Sequence, residues 1–243
     1  AKAHAELDEL ARQVASPPVE IETGCVFCLY IKRAALNEVG YLDEVHLARG
    51  YGEETDWCLR ARSHGWRHMG APNVFVAHQG GISFGAEKVL RVAMNNAILR
   101  KRYPDASARY KAFCLRDPIK PARQALQQAR LDQLARKPAS QRNAYWQSDT
   151  DHTLRIHDGS LPEAGFNLSY HQRSHGTWVL VTAPLSPLPL NLEFELPNDF
   201  TRLVECLRNL PLQAIVYEHL ARCPVGLCDL PAMLDIPYSI QCR

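Results

Sequence analysis

The stretch "KPASQRNAYWQSDTDHT", beginning at residue 137, is polar and carries no hydrophobic period, so neither an amphipathic helix nor a half-buried strand is predicted to run through it. It reads as a linker, assigned to residues 137–159, and it splits the chain into two dissimilar halves, 1–136 and 160–243. At 243 residues with 46% hydrophobic content the chain has enough apolar material for one large core or two small ones.

Before the linker, "ELDELARQV" is predicted as a helix stopped by "SPP", "CVFCLYI" as a buried strand, and "KRAALNEVG" as a helix closed by Gly40. A helix is expected from Glu53, with Gly65 as its stop. "NVFVAH" is predicted to be a strand ending on His78, followed by the glycine-rich loop "QGGISFG". Helices follow in "AEKVLRVAMNNAILRKRY", "DASARYKAFCLR" and "PARQALQQARLDQLARK". After the linker, "TWVLVTAP", "LNLEFEL", "AIVYEHL" and "YSIQCR" read as strands. "DFTRLVECLRNL", with Asp199 near its N-cap, and "DLPAMLDI" read as helices. The alternation points to the α/β class.

A formal charge of +2 provides no field that would favour nucleic acid as a partner. No run of about 18 apolar residues is present to span a bilayer, and the polar start "AKAHAELDEL" lacks a secretory core, which leads to a cytoplasmic expectation. Most of the eight cysteines sit in apolar runs, as buried reduced thiols do. A zinc-bound piece built on Cys25 with Cys28 and Cys223 with Cys228 is the weakest reading. Zinc needs four convergent ligands, and a strand through "CVFC" would point its two cysteines to opposite faces.

"GYGEETDWCLRARSHGW" places Glu53, Glu54 and Asp56 in the first turn of a helix. Carboxylates there are favoured by the backbone dipole, which is a purely structural explanation. The functional one is a general base, and Glu54 suits it because it tops the face shared with Trp57, Cys58 and Ala61 and is expected to point inward. Asp56 and Arg60 are spaced as an i,i+4 pair. A histidine at a strand end is more often structural than a ligand. The glycines after His78 favour a ligand, because they let backbone approach one closely.

The ordered motifs "TGCVFCLYIKRAALNEVGYLDE", "RGYGEETDWCLRARSHGWRHMGAPNVFVAHQGGISFG" and "YPDASARYKAFCLRDPIKPAR" together resemble the C-terminal half of a family 2, rhamnosyltransferase-like bacterial glycosyltransferase, over about residues 5 to 131. The resemblance implies a partial GT-A domain that transfers a sugar from a nucleotide-sugar donor to a glycan or lipid-linked saccharide hydroxyl with inversion. It implies that Glu53 and Glu54 supply the base, Glu54 first, with Glu53 and Asp56 in reserve. His78 becomes a ligand of Mn2+ or Mg2+, and "QGGISFG" a lip over the donor hinged at Gly80 and Gly81. Polysaccharide biosynthesis at the cell envelope, on the inner face of the membrane, would be its setting.

Family members carry a nucleotide-binding half with an Asp-x-Asp pair ahead of this region. Here the only such pair, Asp149 with Asp151, falls in the linker and reads as a solvated loop. The region from about residue 160 weakly resembles the opening of a family 4 GT-B domain, an incomplete Rossmann-like unit, in which His219 is expected to be structural. The expected whole is therefore an internal piece of a longer two-module transferase, a poor catalyst by itself. The competing expectation is a non-catalytic interaction or scaffolding module of a polysaccharide assembly protein.

Overall fold

The computed structural model describes residues 2–47, 52–78, 88–146, 151–159, 165–220 and 223–241. Its contacts group residues 4–123 into one unit and those from 124 onward into a second.

The N-terminal unit is mostly helical. It contains α1 (Lys2–Val14), β1 (Val19–Ile21), α2 (Arg33–Val39), α3 (Glu53–Ser63), β2 (His68–Gly70), α4 (Lys88–Arg102) and α5 (Ala106–Arg116). In α1 the buried Leu7, Leu10 and Ala11 recur at helical spacing. β1 and β2 pair antiparallel, with Ile21 opposite His68. The core between α2 and α3 is built from Ala35, Trp57, Cys58 and Ala61, with Ile31, Leu36, Val39, Leu42 and Trp66 packed around it. Helix α2 ends at Gly40, whose φ of 84° is a left-handed conformation that glycine adopts without strain. The carbonyls at and just past the end of that helix are taken by α3: Trp57 Nε1 donates to Gly40 O, Arg60 Nη1 to Val39 O and Arg60 Nη2 to Tyr41 O, each at 2.7 Å.

Two predicted strands of this unit are absent. Residues 26–28 of "CVFCLYI" form a single turn of 3-10 helix, and Cys25, Phe27, Cys28 and Tyr30 are exposed. "NVFVAH" forms no strand: Asn73 lies in a turn and the Val74 amide donates back to Ala71 O at 3.1 Å. Val74 and Val76 face outward, and the Phe75 amide donates to Asp8 Oδ1 at 3.0 Å instead of to a neighbouring strand. An apolar run becomes a strand only where another strand can take its backbone groups. Here the ribbon is formed by β1 and β2, which have little apolar patterning. The expectation of buried thiols fails in part: Cys58 and Cys206 are buried, whereas Cys25, Cys28, Cys114 and Cys228 are exposed.

The C-terminal unit is a mixed α/β fold. Helices α6 (Lys120–Ala135) and α7 (Ala139–Arg142) lead into β3 (Thr153–His157), β4 (Phe166–Arg173), β5 (Gly176–Ala183) and β6 (Leu190–Leu196). After these come α8 (Phe200–Arg208), β7 (Ala214–Tyr217), α9 (Val225–Cys228), α10 (Leu230–Leu234) and β8 (Tyr238–Ile240). The sheet order is β6-β5-β4-β3-β7-β8. β3 is parallel to both β4 and β7, and β7 is parallel to β8. β4, β5 and β6 form an antiparallel meander, so the sheet is not the wholly parallel one of a simple doubly wound fold. In β5 the buried Thr177, Val179, Val181 and Ala183 alternate with half-exposed neighbours, the period-two pattern of a sheet with one face on a core. Asp199 precedes α8, but its carboxylate accepts from the Glu195 amide at 2.9 Å and from Arg202 at 2.7 Å rather than capping the helix.

Residues 137–159, expected as a linker, hold the strand at the middle of this sheet. Leu154 and Ile156 of β3 are buried in the same core as Trp146. Helix α6, expected to close the first half, supplies Leu131 and Leu134 to that core. Its Gln124 exchanges hydrogen bonds with Asn191 O and the Glu193 amide. Gln127 donates to Pro189 O, and the buried Arg130 to Leu188 O at 2.7 Å. The polar surroundings of β3 conceal a five-residue strand whose alternate residues are apolar.

Candidate functional site

The three acids of "EETD" occupy three different environments. Asp56 is fully buried, and both its oxygens are engaged: Oδ2 by Arg60 Nε, and Oδ1 by Arg102 Nη1 and Tyr103 OH, each at 2.8 Å. Burial alone would raise this carboxyl, but the bonds from Arg60, Arg102 and Tyr103 outweigh it and hold the group below the usual 3.8. Arg102 also reaches Asp43 Oδ2 at 2.9 Å, so the hub joins α3, α4 and the segment after α2. Asp56, expected as a reserve base, is thus wholly buried with both oxygens engaged by Arg60, Arg102 and Tyr103. Glu53 is half-buried, and its Oε2 is sealed with no hydrogen-bond partner among the described residues.

Glu54 is half-buried, and its Oε2 accepts from the Gly52 amide at 3.2 Å, a bond that stays within the helix start. Its side chain lines a cleft of about 590 Å³ shared with Glu22, Asn96, Arg100, Ser107 and Tyr110, a size typical of small-molecule sites. The expectation that Glu54 points inward toward the apolar core is thus refined: the wholly buried acid of this helix is Asp56, and Glu54 faces the cleft. Gly52 sets this position. Its φ of 103° starts the helix, and a Cβ there would meet Leu99 Cδ1 of α4 at 3.0 Å.

Glu22, which sequence reasoning passed over, is the second carboxylate of the cleft. It is nearly buried, bonded to Arg109 Nε at 3.0 Å and 3.6 Å from Arg62 Nη2. Its position after a three-residue strand gave no periodic signal. Arg100 was equally silent, because it sits in a basic helix end that reads as a solvated terminus.

His78 does not end a strand. It is exposed, with its ring stacked on that of Phe27 at 4.7 Å between centroids. Among the described residues no three His, Cys, Asp or Glu side chains converge as a metal-binding group. Gly80 and Gly81 lie outside the described residues, as does Asp149. Asp151 is exposed and accepts from its own neighbour Thr153. His219 sits just beyond β7 and its backbone carbonyl accepts from Tyr170 OH at 3.4 Å.

A second cleft in this unit, of about 940 Å³, is bounded by Phe27, Trp57, Trp66, Phe75 and His68. His68 is 8% exposed, and neither ring nitrogen has a hydrogen-bond partner among the described residues. Burial, reinforced by the Arg62 charge and only partly offset by Glu22 and Glu20, pulls this imidazole below 6.5. The unfolded chain then binds the proton more readily, so stability is complete above pH 6.5 and declines as pH falls through that value. His68→Leu is expected to flatten this decline in denaturant-unfolding midpoints measured between about pH 5 and 7. An unchanged slope would mean that His68 contributes nothing to it.

No helix among the described residues is long and apolar enough to cross a membrane. No protein-family model, curated protein or solved structure matches this chain.

Proposed function

We propose that the N-terminal unit is the acceptor-and-base half of an inverting glycosyltransferase site, with Glu54 as general base. One observation carries the reading: of the three acids at the start of α3, Glu54 is the one that lines a ligand-sized cleft, while Asp56 is consumed by its partners and Glu53 is partly sealed. In the proposed reaction the acceptor hydroxyl gives its proton to Glu54. Its oxygen bonds to the anomeric carbon on the face opposite the nucleoside diphosphate, which departs with the bonding pair and leaves the configuration inverted. Asn96, Arg100 and Ser107 would orient the saccharide hydroxyls.

The resemblance behind this proposal assigns His78 as a ligand of Mn2+ or Mg2+, and among the described residues no three His, Cys, Asp or Glu side chains converge to hold such an ion. A GT-A origin for this unit, a GT-B origin for the mixed sheet, and a cytoplasmic setting facing a lipid-linked acceptor all belong to the same proposal.

Glu54→Gln in the natural full-length protein tests it, since glutamine keeps the bond from Gly52 but cannot take a proton. Transfer is expected to fall by roughly 100-fold, in kcat rather than KM, with unfolding unchanged. Wild-type turnover in that variant would remove Glu54 from the chemistry.

A second reading, a non-catalytic interaction module, is favoured by one feature. Helix α5 buries none of its residues, and Tyr110 and Leu115 on it, with Leu90 and Met94 on α4, are exposed.

A further inference from the structure

The larger cleft of the N-terminal unit, of about 940 Å³, takes no part in the proposed reaction and differs in chemistry from the one at Glu54. Its buried lining residues are Ala35, Trp57 and His68. None of them offers a ligand an open polar atom: Trp57 Nε1 is bonded to Gly40 O, and both His68 nitrogens are shut off from solvent. Around them the lining carries large apolar side chains that water still reaches, Phe27, Tyr30, Met69, Val74 and Val76. Apolar surface gathered in one concavity marks a binding site rather than ordinary surface. The charged side chains of the lining are Lys32, just before α2, and Arg67, just before β2, and no carboxylate lines this cleft among the described residues. Neither cation has an ion-pair or hydrogen-bond partner for its side chain among the described residues. The neighbouring acids are engaged elsewhere, Glu20 and Glu22 by Arg62 and Glu38 by Trp66 Nε1.

We infer that this cleft binds a single-chain amphipathic anion of the fatty-acid class, its hydrocarbon tail among the aromatic and aliphatic side chains and its carboxylate at Lys32 and Arg67. Two observations select this occupant. The volume lies at the upper end of the range for small-molecule sites, which suits one chain rather than a protein partner. The lining pairs an apolar interior with unpartnered cations and no acid, so a negative head is complementary to it and a positive one is repelled. Lys32 and Arg67 are exposed, so the carboxylate keeps much of its water there and gains only a modest attraction. The tail, by leaving water, supplies most of the affinity, and the cations choose the sign of the head. The inference does not rest on the transferase reading, because Glu54 lines the other cleft and not this one.

Equilibrium dialysis of the natural full-length protein against radiolabelled dodecanoate, kept below its micelle concentration, is the test. Saturable binding is expected, with dodecyltrimethylammonium, the same tail under a positive head, competing at least about fivefold more weakly than unlabelled dodecanoate. Lys32→Glu and Arg67→Glu, both at exposed positions, are each expected to weaken binding roughly fivefold. Val76→Asp, which sets a carboxylate at an exposed position of the apolar lining, should weaken it at least about tenfold with the unfolding midpoint retained. Equal competition by the two heads, wild-type affinity in Val76→Asp, or no saturable binding would each overturn the inference. Binding to phosphatidylglycerol vesicles with none to monomeric dodecanoate would overturn it too, and would make this face a membrane contact instead. Because the measurement needs no turnover, its result stands whatever Glu54→Gln does to transfer.

Discussion

Asp56→Ala is expected to cost the N-terminal unit about 3 kcal/mol, the low end of the range for breaking a buried ion pair, because Arg60 and Arg102 remain partly exposed and regain some water. The loss has two parts. Arg60, Arg102 and Tyr103 lose the acceptor that joined α3 to α4, and the guanidinium of Arg60 loses the anchor that positions it on the last carbonyls of α2. Asp56→Asn keeps the shape and an acceptor but removes the charge, and should fall between. Because the folded-state pKa is lowered, the contribution of Asp56 is complete above the ordinary carboxylate value of 3.8 and is lost as pH falls below it. Denaturant unfolding followed through Trp57 and Trp66 measures all three effects. A cost under about 0.5 kcal/mol would place Asp56 with ordinary surface carboxylates.

Leu131→Ala is expected to cost about 2–5 kcal/mol, the price of a cavity at a fully buried leucine. Which unit suffers is the more telling result. If α6 belongs with the sheet, hydrogen exchange should accelerate in β3 to β6 and leave α1 to α3 unchanged. Acceleration in α1 to α3 instead would return α6 to the first half, where its position in the sequence had placed it.

What the sequence conveyed and what it withheld follow from how far each signal reaches. The ends of α2 and α3 were legible because Gly40 and Gly65 impose a backbone conformation by themselves, each with φ of 84°. The strands β5 and β6 were legible because a half-buried strand writes its two faces into alternate residues. β3 and β4 were not: the polar Arg155, His157, Asn167 and Ser169 interrupt their apolar residues, so local polarity misled. "CVFCLYI" erred in the opposite sense, since Phe27, Leu29, Tyr30 and Ile31 line a cleft wall rather than a sheet. At the candidate site the acid cluster was visible, but its division of labour was not. That division depends on Arg102 and Tyr103, which reach Asp56 from more than forty positions away, and on Glu22, which enters the cleft from the first ribbon.

The contacts from α6 to β6 bear on how the protein avoids its own kind. Strand β6 pairs only with β5 among the described residues, so its other flank presents backbone groups to whatever chain comes next. On that flank Gln124 accepts from the amide of Glu193 and donates to the carbonyl of Asn191, the two groups that a parallel neighbour would engage through a single residue. One side-chain amide thus imitates one residue of an absent strand. Gln127 and Arg130 occupy the carbonyls just before it. The helix that carries these residues is therefore also a guard against templated self-association: it occupies the open flank with groups that cannot propagate a sheet.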